Sequence, residues 1–484
     1  MTKTLWPGLH DDGVLYSTVI INRASGNGNT FAVYSRSLLN DDGDREFDGH
    51  GQLYYPLVAS LLSRPDYEAL LTLLHQFNLV GFLLAFVVFV LANRRSLQLG
   101  WLPASFMGVL GGAAMGAILQ YLQGRPEHGI PFIILLFIFI GQFLKLRSYP
   151  NWLAGLQIGL IACISPLPGL IAGLGSVFHL STQQENKNVI RSSAVQAVVA
   201  VAAWLVVMAI IYDEPITEWF TKTFSSSSLN NYQPIEILTF WGKLNLAPGL
   251  GIILLVAGGI GLLIYLRIIF IDGPIANKIM ATISGLGLAF FIFKHGFAWA
   301  STNYCFLGFF PVIILWIMQI TNQHESEISA SSKKLLCLIL FLALSLPALG
   351  YFRTSALQYA VARNSNDYKS TLKRVENIKK SLDESDVILI HDYRGERSPV
   401  VFDSPPWRFR STAWTYSLNT LEKKLHFNAK YFLSIQWSRS EPTPPGEGNY
   451  RLIENRYNSD PVYFMGIKIK DTTPGYGYAI YEKQ

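Results

Sequence analysis

Two adjacent carboxylates, Asp11 and Asp12 in LHDDGVLYS, stand ahead of a long series of apolar segments. A tight turn between two of those segments, YLQGRPEHGIP, carries Arg125, Glu127 and His128. A third polar group, Lys294 and His295, lies in FKHGFAWASTNYCFLGFFP with Trp299 and Tyr304, and the polar segment 213–245 adds Asp213, Glu214, Glu218, Trp219, Lys222 and Lys243. An ionised carboxylate can take a proton from a hydroxyl as that oxygen attacks carbon. An unperturbed Asp is ionised at neutral pH. Lys, Arg or N–H donors can hold a departing phosphate. Gathered at one edge of an apolar bundle, these residue types suit transfer from a membrane-embedded lipid phosphate to a polar acceptor. A sugar moved by single displacement fits that pattern, with inversion at the anomeric carbon and no covalent intermediate.

Such residues need elements that bring them to one side. The apolar segments run roughly 76–92, 102–122, 130–144, 151–164, 166–180, 193–212, 246–266, 279–294, 304–320 and 335–352. A crossing helix needs about 20 apolar residues. Pro166 and Pro168 in SPLPG forbid one continuous helix over 151–180, so two short helices meeting near one face are expected there, with a single kinked helix as the rival. With residues 1–75 outside, cations fall in five inner loops: Arg94/Arg95, Lys145/Arg147, Lys187/Arg191, Arg267/Lys278 and Lys333/Lys334. This satisfies the excess of Lys and Arg on the inner side only if 151–180 counts as two crossings. The same alternation puts 353–484 outside.

The expected architecture is therefore mainly α, a polytopic transmembrane helical bundle of about ten spans, in three parts. Residues 1–75 form a first extracytoplasmic loop with the acidic motif, 76–352 the bundle, and 353–484 an extracytoplasmic α/β domain. In the tail, DVILIHDY, KYFLSIQW and GYAIYEKQ read as strands, LNTLEKKLHF as a helix and SEPTPPGEGN as a loop. No apolar segment precedes Asp11, which suggests a first helix missing upstream.

Composition agrees. The 484 residues are 50% hydrophobic and only 15% charged, against about 25% in soluble domains. The net charge of +6 comes from cations in short loops, with no basic stripe interleaved with aromatics, so nucleic acid is not an expected partner. Cys163, Cys305 and Cys337 lie in or beside apolar stretches without ligand spacing and read as small core residues. Small residues in GVLGGAAMGA, including Gly111 and Gly112, read as close helix packing.

The order and sidedness of these motifs resemble the GT-C superfamily of integral-membrane glycosyltransferases, which take sugars from polyprenyl-phosphate donors. The nearest group includes protein O-mannosyltransferases and lipid A aminoarabinose transferases. The opening acidic pair followed by a Tyr is Asp11-Asp12 with Tyr16. The first-loop stretch before the next helix is similar to GHGQLYYPL, with His50, Tyr54 and Tyr55. An acid in the second outer loop corresponds to Glu127 in GRPEHG, and the Gly- and Leu-rich broken helix to LAGLQIGLIACISPLPGL. The resemblance covers about residues 8–350 and departs at two expected phosphate contacts: Ser165 stands near a common Lys, and Asn303 stands where an Arg often precedes the tyrosine, here Tyr304.

The resemblance implies Asp11 as general base, with Asp12 and Glu127 beside the reaction. It implies Tyr16, His50, Tyr54, Tyr55, Arg125, His128, Lys294, His295 and Tyr304 around donor and acceptor. The partners are a polyprenyl-phosphate-linked sugar, the bilayer, and an acceptor lipid, glycan or protein. The setting is a bacterial inner membrane with a periplasmic active site. The superfamily leaves room for a divalent metal, though no closed ligand set is visible.

Plainer readings stand beside these. Asp11 and Asp12 could cap a helix, Glu127 could pair with Arg125, and His128 could be an interfacial side chain. Lys222, Lys243 and Lys294 could snorkel. Asp41 to Asp48 lacks the closing Glu of a calcium loop. A polytopic transporter or lipid flippase shares the span count. It calls for charges near the midplane and paired repeats, whereas these acids sit in outer loops. A membrane scaffold whose tail binds partners is the third class.

Overall fold

A computed structural model describes residues 11–26, 53–65, 67–96, 98–144, 150–182, 188–211 and 275–295, isolated helical positions at 341, 344, 345, 348 and 377, and the strands of the tail with the C-terminal Gln484. The helices are α1 (Asp11–Ala24), α2 (Tyr54–Leu61), α3 (Tyr67–Ser96), α4 (Trp101–Leu122), α5 (Gly129–Phe143), α6 (Asn151–Ile164), α7 (Pro166–Thr182), α8 (Val189–Ile211) and α9 (Ile275–His295). A short 3-10 turn, Pro126–His128, joins α4 to α5.

The apolar segments expected in this region form helices, with small changes of boundary. The chief difference is α3, which begins at Tyr67 rather than near 76. Its extra turns bury Leu70 and Leu74 against Val19, Ile20 and Ile21 of α1 and Tyr54, Tyr55 and Val58 of α2. The first loop is thus partly built of helices docked on the bundle. The segments 246–266, 304–320 and most of 335–352 lie outside the described residues.

Three described helices are long and apolar enough to cross a membrane: Ala69–Arg95, Trp101–Gln120 and Val189–Ile210. On α8, Val198 is 69% exposed and Ile210 77% exposed, so among the described residues a wide aliphatic face is left uncovered. Hydrocarbon is the solvent that such a face requires. We read the chain as an integral membrane protein.

The proline break divides two helices, as the sequence requires. Ser165 is extended at φ −155° and ψ 125°, the conformation forced on a residue before proline, and Pro166 opens α7, where its missing N–H is no loss. At 1.5 Å per residue, α6 is about 21 Å long and α7 about 26 Å, each shorter than a hydrocarbon core of about 30 Å.

Small residues set the close approaches. The Phe89 ring covers Gly111, so GVLGGAAMGA does serve close packing, of α4 on α3. A tighter approach joins α6 to α8. A Cβ at Gly159 would lie 2.5 Å from the Ala200 carbonyl oxygen and 2.9 Å from Ala203 Cβ, and one at Gly155 would lie 2.6 Å from the Gln196 carbonyl. These obstacles are backbone atoms and an alanine Cβ, none of which can rotate away. Gly159→Ala is therefore expected to destabilise the bundle by about 1–3 kcal/mol. The check is the unfolding midpoint in detergent, which should fall while the helical circular dichroism of the folded form stays unchanged. Helix α7 joins this pair through a polar tie: the Ser176 hydroxyl donates to Gln196 Oε1 (2.8 Å), and Gln196 Nε2 donates to Asn151 Oδ1 (3.3 Å).

In the tail, the three segments read as strands are β1 (Val387–Asp392), β3 (Ala429–Trp437) and β7 (Tyr476–Lys483). Four further strands are β2 (Phe409–Ser411), β4 (Tyr450–Asn458), β5 (Val462–Phe464) and β6 (Ile467–Lys470). A five-stranded mixed sheet has the order β2-β1-β3-β7-β4, with β1 parallel to β2 and β3, and β7 antiparallel to β3 and β4. The antiparallel pair β5 and β6 stands as a separate ladder. The helix expected at 418–427 and the loop at 440–449 lie outside the described residues.

Candidate functional site at one end of the bundle

The turn between α4 and α5 is built by its own sequence. Gly124 has φ +85°, a left-handed conformation that a side chain would oppose, so the chain can reverse immediately after α4. Arg125 is extended before Pro126, which opens the 3-10 turn. The result buries Arg125, Glu127 and His128 together, with Glu127 only 8% exposed.

Helix α2 delivers the first loop to that turn. The Tyr54 hydroxyl lies 3.0 Å from His128 Nδ1, and both residues are buried. On the other side of the ring, His128 Nε2 lies 2.8 Å from Asn78 Oδ1 of α3. Asn78 Nδ2 then donates to Gln123 Oε1, at the end of α4, over 3.0 Å. Asn78 Oδ1 can only accept, so Nε2 carries the imidazole proton and Nδ1 accepts from Tyr54. The rings of Phe77 and Phe132 flank the imidazole, with centroids 6.4 and 5.5 Å away.

Burial controls the charge states. It pushes His128 down to about 3, which keeps the ring neutral. It pushes the Tyr54 phenol far up, and the nearby Glu127 carboxylate adds to that shift. In this cluster Glu127 Oε2 and Gln123 Nε2 are among the atoms buried without a hydrogen-bond partner. Buried polar atoms are rarely left so, which makes this the strongest candidate site among the described residues.

The break between α6 and α7 lies at the same end. The Leu53 N–H donates to the Cys163 carbonyl over 3.1 Å. Leu53 also packs on Ile130, Ile134, Ile161 and Ile164. The first-loop helix, the Arg125–His128 turn and the proline break therefore share one region. The Arg94 and Arg95 end of α3 lies at the opposite end of that helix. There Arg94 Nη1 donates to the Leu99 carbonyl over 2.6 Å, and the guanidinium sits 4.5 Å over the Trp101 ring.

Of the residues expected to carry chemistry, the structure brings together Tyr54, Arg125, Glu127 and His128, with Tyr55 buried beside them in the core of α1, α2 and α3. Asp11, Asp12 and Tyr16 belong to the first half of α1, so the acidic pair opens a helix rather than an irregular loop; only their backbone is described. Lys294 and His295 are the last residues of α9, again as backbone. His50 and Tyr304 lie outside the described residues.

Asn78 and Gln123 were not singled out from sequence, although a polar side chain inside an apolar crossing is a signal in its own right. Among the described residues, no group of three or more His, Cys, Asp or Glu side chains is arranged to hold a metal ion.

Among solved structures, the chain is similar to the crystal structure of ArnT from Cupriavidus metallidurans bound to undecaprenyl phosphate. The identity is 12% and the TM-score 0.41, and the similarity covers 90% of each chain. No protein-family model and no curated protein matches the sequence.

Proposed function

We propose that this chain is a membrane glycosyltransferase. It moves a sugar from a polyprenyl-phosphate donor to an acceptor hydroxyl on the outer face, with inversion. Asp11 is the general base and Asp12 its neighbour in the same helical turn. Glu127 and Arg125 position donor or acceptor. Tyr16, His50, Tyr54, Tyr55, His128, Lys294, His295 and Tyr304 complete the binding surface, with the cations meeting the lipid phosphate. The enzyme sits in a bacterial inner membrane with its site on the periplasmic side.

The observation that carries this reading is the 3.0 Å contact between Tyr54 and His128. It joins the first loop, which bears the acidic motif, to the second loop, which bears the buried Glu127. A sugar transferred between lipid and acceptor needs both loops at one cavity. The unpartnered Glu127 oxygen supports the same reading, because a buried carboxylate is retained where a ligand satisfies it.

Glu127→Gln tests it. The amide keeps the shape and removes the charge. Transfer of radiolabelled sugar from polyprenyl phosphate, assayed in membranes, is expected to drop about tenfold, the loss of one charge-assisted hydrogen bond. Normal transfer in this variant removes Glu127 from the site.

A further inference from the structure

We propose that Gln123 is a sugar-binding residue: with Glu127 it takes a hydroxyl group of the transferred sugar, and Asn78 and His128 are the positioning residues that hold its amide. The inference rests on the glycosyl-transfer reading above and extends it to two residues not assigned there, Gln123 and Asn78.

The argument starts from the direction of the hydrogen-bond chain. Tyr54 O–H donates to His128 Nδ1, His128 Nε2–H to Asn78 Oδ1, and Asn78 Nδ2–H to Gln123 Oε1. Every donor points the same way. Both atoms of the Asn78 amide are used, so no link can reverse alone. Bonds aligned in this manner polarise one another.

The chain ends on Gln123 Nε2, a donor with no partner in a residue only 1% exposed. Four residues along the same tight turn, Glu127 Oε2 is an acceptor with no partner in a residue 8% exposed. One unspent donor and one unspent acceptor call for a ligand atom that both accepts and donates. A hydroxyl is the smallest group that does so. An anionic phosphate oxygen would meet Gln123 but repel Glu127, and an ammonium would do the reverse. The class is therefore a neutral polyol, the sugar itself.

Gln123→Glu is the discriminating variant. It keeps an acceptor oxygen for Asn78 and replaces the free donor by a second acceptor. The full chain in nanodiscs is titrated with undecaprenyl phosphate and with its glucose-, galactose- and mannose-linked forms. The wild type is expected to bind at least one sugar-linked lipid about tenfold more tightly than the bare lipid, the increment of one satisfied buried hydrogen bond. Gln123→Glu should lose that increment, read as the ratio of sugar-linked to bare-lipid affinity within the same variant. Asn78→Leu should reduce it by releasing the amide.

Nitrogen-15 spectra of histidine-labelled protein supply the readout for the chain itself. His128 should be neutral with its proton on Nε2 in the wild type and in Gln123→Glu, and should lose that tautomer preference in Asn78→Leu. An increment retained in Gln123→Glu, a wild type that binds all four lipids alike, or a proton on Nδ1 overturns the subsite. Binding to none of the lipids overturns the glycosyl-transfer reading as well.

Discussion

Asp11→Asn is expected to lower sugar transfer by a factor of about 10² to 10⁴, the range a positioned general base contributes. Asn cannot take a proton from the attacking hydroxyl. It is otherwise the mildest available change. Asp11 stands in the first turn of α1, where both Asp and Asn are well tolerated at the helix start. The fold of α1 rests instead on its second half, where Val19 and Ile20 are fully buried against α2 and α3. The proposed base thus stands away from the packed half of the helix, and the variant should retain the wild-type unfolding temperature. Asp12→Asn serves as the control and should cost less. The assay is transfer from a radiolabelled polyprenyl-phosphate sugar, with the expressed amount of each variant matched. Full activity in Asp11→Asn ends the proposal that this residue is the base. A protein that moves labelled lipid across the membrane without forming a new glycosidic bond is a flippase instead.

The features legible in the sequence were those that local chemistry decides. Pro166 and Pro168 end and restart a helix whatever surrounds them, and α6 and α7 divide at Ser165. Apolar runs fixed the existence of α3, α4, α5 and α8 because no other element hides so many aliphatic side chains. The turn at 124–128 was legible as polar, and its three ionisable residues do gather there.

The rest was set by tertiary contact. α1 does not announce itself, since DDGVLYSTVIINRA mixes polar and apolar residues and is held by packing on Tyr54 and Leu70. Strand β4, YRLIENRYN, lacks clean alternation and pairs with β7 alone at the edge of its sheet, leaving Leu452 and Ile453 exposed. Asn78 and Gln123 are 45 residues apart, and nothing in either neighbourhood shows that their amides meet. His128 read as an interfacial side chain or a ligand contact; its partners, Tyr54 and Asn78, show a buried ring that joins two loops, which no local pattern announces.

That neutral ring has a second large consequence, in acid. An unperturbed histidine titrates near 6.5, whereas burial holds His128 down to about 3. The unfolded chain therefore binds a proton over this window that the folded chain refuses. The folded form is fully favoured above pH 6.5 and loses stability as the pH falls toward 3. At about 1.4 kcal/mol per unit, the full window is worth on the order of 5 kcal/mol. The effect has a structural reading. A proton on Nδ1 would face the Tyr54 hydroxyl, which would have to turn its own hydrogen away, at a ring that bulk solvent does not reach. The contact between the first and second loops should weaken first, because the proton enters at that contact. The measurement is the unfolding temperature in detergent at pH 7.5, 6.0, 5.0 and 4.0 for the wild type and His128→Gln. The variant is less stable at pH 7.5, since it cannot reproduce both ring contacts, but the gap should narrow steadily toward pH 4. Parallel curves for the two proteins would show that His128 binds its proton as readily folded as unfolded, and the neutral Tyr54–His128–Asn78 chain would then be abandoned.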